Sequence, residues 1–145
     1  MTEFHSNDLP EFRAWREALE PPGDAVSFVA QHVSVTAAYL LAEVFFPELV
    51  EVHGCILLAK SYEPANFEDW WERSDGDCAA VERALNHLHL WDIFEPEGDA
   101  EERALGKLAQ RVALAWRCNA EENFPDRTFV VEVTDEYGPT VVMSS

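Results

Sequence analysis

The chain has 145 residues, 48% of them hydrophobic, with five Trp, nine Phe and three Tyr; 28 Asp and Glu stand against 10 Lys and Arg, a formal net charge of −18. That length and aromatic content describe one globular domain over residues 1–145 and exclude a disordered acidic chain, which lacks the apolar surface to offset its ordering entropy. The charge excludes nucleic acid and anionic membrane as partners, because a phosphate binder needs clustered cations to release counterions, and it favours a basic protein surface.

The N-terminal run MTEFHSNDLPEF has neither the basic nor the apolar stretch of a signal peptide, so a cytoplasmic location is expected. Asp8 reads as the cap of a short helix with Pro10 in its first turn and Phe12, Trp15 and Leu19 on one face. Asp24 reads as the cap of a longer helix ending at Phe46, before Pro47, on which Val26, Val29, Val33, Ala37, Leu40 and Val44 recur at helical spacing. This is the expected central core element, so a charge at Val33 or Leu40 is expected to prevent folding. Its β-branched run from Val33 to Thr36 is the one feature that speaks for a strand.

Beyond Pro47 the period changes to two. Val50, Val52, Ile56 and Leu58 alternate with Glu51, His53 and Cys55, so 49–59 is either one strand or a hairpin turning at His53 and Gly54. Pro64 opens a helix carrying Phe67, Trp70 and Trp71, and a second helix from Asp77 to Phe94 aligns Val81, Ala84, Leu85, Leu88 and Trp91. Asp99 and Glu102 have capping-box spacing at the head of a helix bearing Leu105, Leu108, Val112 and Trp116 and ending near Asn123. Finally, Thr128 to Thr134 and Thr140 to Met143 alternate around a Tyr-Gly-Pro turn as an antiparallel hairpin. The sum is an α+β fold: a small, mostly antiparallel sheet from two separated β segments, packed against about five helices.

Cys55, Cys78 and Cys118 are odd in number, widely spaced and without a CxxC, so reduced thiols and no structural zinc are expected. His87 and His89, placed on a helix, diverge and do not chelate one ion; no metal or other cofactor is expected. HExxH, GxSxG, a Walker loop and GxGxxG are all absent, so no catalytic motif is found.

Two functional readings remain. The first is a non-enzymatic interaction protein, similar in character to immunity proteins, antitoxins and inhibitors, that offers carboxylates and an aromatic or two to a basic protein. Its expected binding residues are Glu68, Asp69, Trp70, Trp71 and Glu72, with Glu82 and His89 on the solvent side of the following helix. The second is a small enzyme or ligand-binding protein using His32, Tyr39 and Glu43, which with Thr36 form one polar stripe along the long helix. Ordinary amphipathicity explains the same stripe.

Overall fold

The computed structural model describes residues 3–145 and has an α+β architecture of six helices and two small antiparallel sheets. Strand β1 (Leu49–Val52) pairs with β2 (Cys55–Leu58), while β5 (Thr140–Ser144) lies between β3 (His87–His89) and β4 (Val130–Thr134). The two β segments therefore do not join into one sheet.

Segment 49–59 is a hairpin. His53 and Gly54 both take positive φ, +51° and +83°, as a two-residue turn matched to strand twist requires. A two-residue turn changes the parity expected for a single strand: Val52 faces Cys55 and Val50 faces Leu57 across the ladder, so these four share a side. Ile56 and Leu58 point the other way. All four residues of β2 are buried, because each of its faces has its own core. Cys55 and Leu57 pack with Phe67 of α4 (Pro64–Arg73) and with Val81 and Leu85 of α5 (Cys78–Leu85). Ile56 and Leu58 pack with Val112 and Trp116 of α6 (Asp99–Asn123) and with Val141 and Met143 of β5.

The expected helix from Asp77 to Phe94 stops at Leu85. Asn86 leaves helical geometry, and His87–His89 form β3 against β5, a tertiary pairing that overrides the helical spacing of Leu88 and Trp91. Glu82 and Asn86 join the two sheets. The Glu82 carboxyl accepts from the Ile56 amide (2.7 Å) and from the amide and hydroxyl of Ser145 (2.9 and 2.7 Å). Asn86 accepts from the Leu58 amide (2.9 Å) and donates to the carbonyls of Ile56 (2.8 Å) and Met143 (3.3 Å). Side chains thus do the work of a missing strand, satisfying backbone groups that burial would otherwise leave unpaired.

The long N-terminal helix is two helices, α2 (Ala25–His32) and α3 (Val35–Phe45), bent 115° apart. Val33 is extended, φ −119° and ψ 125°, and the Ser34 hydroxyl caps α3 by accepting from the Ala37 amide at 3.0 Å. The β-branched run and the serine cap together end one helix and start the next. Neither helix is the core element expected from its spacing: no residue of α2 or α3 is buried, and Val33 and Leu40 are 38% and 54% exposed. The central helix is α6, whose Trp116 Nε1 donates to the Val44 carbonyl and whose Asn119 donates to the Pro47 carbonyl, both at 2.8 Å. Helix α1 (Pro10–Glu17) starts at Pro10 with Leu9 as its cap, and Asp8 instead accepts from the His5 amide. Phe12 and Trp15 find their partner in Phe28 of α2, with ring centroids 5.6 and 5.2 Å away. Gly98, not Asp99, caps α6.

Cys55 and Cys78 are joined as a disulfide, with Cα atoms 5.0 Å apart; Cys118 is free and exposed. This corrects the expectation of reduced thiols. The hairpin turn brings Cys55 against the first turn of α5, a juxtaposition that their separation of 23 in the chain does not announce.

Candidate functional site

The acidic face of α4 is built by its own cap and its own core contacts. Glu63 closes the N-terminus by accepting from the amides of Ala65 (3.2 Å) and Asn66 (2.8 Å), and Pro64 follows where a missing N–H costs nothing. Phe67 is buried. Trp71 lies 5.8 Å from Phe67 and 5.2 Å from the His53 ring, while the Arg73 guanidinium covers Trp70 at 5.5 Å. Both tryptophans are half-buried against the smaller core, so they fix the helix more than they offer an anchor.

That packing turns Glu68, Asp69 and Glu72 outward, and all three are exposed. They differ in what they meet. Asp69 is paired with Arg73 at 2.9 Å, and Glu68 stands 3.7 Å from His53 Nε2. Glu72 has no ion-pair partner among the described residues. It also sits in the last turn of α4, where the helix dipole disfavours an anion, four residues after the like charge of Glu68. Among the described residues only Arg73 and Arg127, of the ten Lys and Arg, form ion pairs, so most carboxylates are not neutralised within the fold.

Glu82 and His89 do not belong to this face. Glu82 is fully buried and spends its carboxyl on backbone donors. His89 is half-buried on β3, where its Nδ1 donates to Thr140 Oγ1 at 2.7 Å; that hydroxyl in turn donates to the Gly138 carbonyl. Because β3 is a strand, His87 and His89 share one side, with ring centroids 5.1 Å apart, rather than diverging. Among the described residues no three metal-capable groups come together.

The 115° bend divides the polar stripe. His32 lies on α2, stacked on Phe28 at 3.9 Å with its Nδ1 donating to the Phe28 carbonyl at 2.8 Å. Tyr39 and Glu43 lie on α3 and line an open groove of about 770 Å³ with Phe46, Glu48, Lys60 and Asn119. The structure brings two of the three residues together and leaves the histidine out.

The fold moves the titration of Asp24. The Ser27 amide donates to its carboxyl at 2.8 Å and holds it below the usual carboxylate range. Sequence reasoning missed Asn86 and Arg127 as fold-determining residues. Arg127 donates to the Gly54 carbonyl at 2.6 Å and pairs with Glu51 at 3.0 Å, pinning the hairpin tip to the chain after α6. A polar residue four positions after Glu82, beside an apolar stripe, is the signal that marks Asn86.

No protein-family model matches the chain, and none of the curated proteins or solved structures compared with it does either.

Proposed function

We propose that the protein binds a basic protein partner through the outer face of α4. The observation that supports this reading is the pair Glu68 and Glu72: like charges one turn apart, with the second at the helix end that repels it. Each placement costs the isolated protein a few tenths of a kcal/mol, at most about 1 kcal/mol, and a cationic surface docked on α4 reverses the sign of both. Half-buried Trp70 and Trp71 fix the helix beneath the carboxylates, so the partner meets a preorganised surface. Attraction of this kind acts chiefly on the association rate and fades with salt. The test is capture of partners by wild type and by the Glu68→Lys, Glu72→Lys double variant at low and high salt; capture lost in the variant supports the reading.

A second reading has its own observation, the groove holding Tyr39 and Glu43. With two carboxylates, one ammonium and a phenol on its walls, the groove suits a small polar ligand. His32 is not available to it as a general base. Glu43→Gln tests the groove by removing ligand binding while leaving partner capture unchanged.

A further inference from the structure

We infer that His87 and His89 form a two-histidine chelate for a divalent transition metal ion of the Zn²⁺ class, on the face of the three-stranded sheet turned away from α6. Chelation by this pair is excluded only while the two residues stand on a helix, where they diverge. On β3 they are two positions apart on a strand, so both project from one side, and their ring centroids stand 5.1 Å apart. Leu88, between them, points the other way into the core with Val112 and Trp116 of α6. The spacing is the one a shared ion requires: two imidazoles bound through nitrogen at ~2.1 Å, at a tetrahedral angle, have centroids about 5 Å apart.

One ligand is set in advance. The Thr140 hydroxyl donates its only proton to the Gly138 carbonyl at 3.0 Å, so toward His89 Nδ1, 2.7 Å away, it can only accept. The proton of the neutral His89 ring therefore sits on Nδ1 and the lone pair on Nε2, which is how a hydrogen-bonded partner on one nitrogen prepares the other to ligate a metal. Tyr137, edge-on to the His89 ring at 5.3 Å, holds it from a second side. His87 is exposed and can turn toward an ion held on His89. The register adds charge: His87 faces Val142 and Val142 faces Glu132, so the Glu132 carboxylate shares this side of the sheet two strands away, a backbone distance of roughly 10 Å. A net charge of −18 draws cations to the surface, and imidazole selects among them, preferring Zn²⁺, Cu²⁺ and Ni²⁺ over the oxygen-seeking Mg²⁺ and Ca²⁺. No third metal-capable group stands beside the pair among the described residues, so water fills the other coordination positions and the ion exchanges rather than holding the fold together.

Isothermal titration of the untagged full chain with Zn²⁺ in excess Mg²⁺ tests this, because Mg²⁺ occupies the surplus carboxylates and leaves imidazole free. The expected result is a single Zn²⁺ site per chain, with its Kd raised at least about tenfold in His87→Ala and in His89→Ala. Since His87 is exposed, its variant should keep the circular dichroism of wild type. Histidine nitrogen NMR of the metal-free protein should find His89 protonated at Nδ1. Added Zn²⁺ should then shift the His87 and His89 resonances and leave those of His5, His32 and His53 in place. Loss of the one-to-one site in Mg²⁺ overturns the proposal, because Zn²⁺ then rests on carboxylates alone. Wild-type affinity in a folded His87→Ala variant overturns it too, as does a His89 ring protonated at Nε2.

Discussion

Glu82 on α5 and Asn86, the residue just past its last turn, between them take up the free edge of β2, Glu82 holding the Ile56 amide and Asn86 the Leu58 amide. The same two side chains reach Ser145 and Met143 at the end of β5, so the end of α5 joins two sheets that share no strand. Truncating either leaves buried backbone groups unpaired, at about 1–3 kcal/mol for each. Glu82→Ala and Asn86→Ala should each lower unfolding free energy by about 2–4 kcal/mol in urea titration. Because they hold one edge together, the double variant should lose less than the two single losses combined. Additive losses would show that the residues act independently.

The disulfide yields a second prediction. Closing a loop of this length restricts the unfolded chain and stabilises the fold by about 3 kcal/mol, so reduction or Cys55→Ser should lower the melting temperature by roughly 10 °C. Peptide mapping of the oxidised protein should find Cys55 linked to Cys78 and only Cys118 alkylated. Alkylation of all three in the folded, unreduced protein contradicts the pairing.

The Asp24 cap gives a pH dependence with a definite sign. Its carboxyl is held below the unfolded value by the Ser27 amide, so the stabilisation is present above the unfolded pKa and is lost as pH falls through the folded one. The protection factors of α2 amides, measured against their intrinsic exchange rates, should therefore fall in acid before those of the α6 core, and Asp24→Asn, which keeps the cap without the titration, should remove most of that fall. An α2 that opens only together with α6 rules this out.

How much was legible in the sequence follows from which interactions are local. Helix α4 with its Pro64 start, the C-terminal hairpin and α6 from its Leu105, Leu108, Val112 and Trp116 spacing are written in short-range signals, and each stands where those signals put it, whereas the signals of 49–59 leave one strand and a hairpin both open and the structure takes the hairpin. The errors lie where a distant partner decides. Helical spacing continues from Val81 through Trp91, yet pairing with β5 pulls His87–His89 into a strand. Apolar spacing in α2 and α3 resembles that of a core helix, but spacing reports amphipathicity and not which partner is present. In the candidate site, the exposure of Glu68, Asp69 and Glu72 was readable because Phe67 and the tryptophans fix the opposite side of α4. The burial of Glu82 was not, since its partners lie 26 and 63 residues away.

Placement of Glu72 against the helix dipole implies a trade between stability and binding. Glu72→Gln should stabilise the isolated protein slightly, by about 0.3–0.5 kcal/mol, because it removes one like-charge contact and one anion from a helix C-terminus. The same change should weaken partner capture. A variant that is both less stable and equally competent in capture would remove the argument for α4.

Partner capture with charge reversal on two different faces tests the central claim most directly. Wild type, the Glu68→Lys, Glu72→Lys variant and a control reversed at Glu121 and Glu122, near the end of α6, are compared on the same native lysate at low and high salt, with bound proteins identified by mass spectrometry. The expected result is a basic protein retained by wild type and by the control at low salt, released at high salt, and absent from the α4 variant. Equal retention of every partner by the α4 variant and wild type would contradict it and leave the acidity of this face without a binding role.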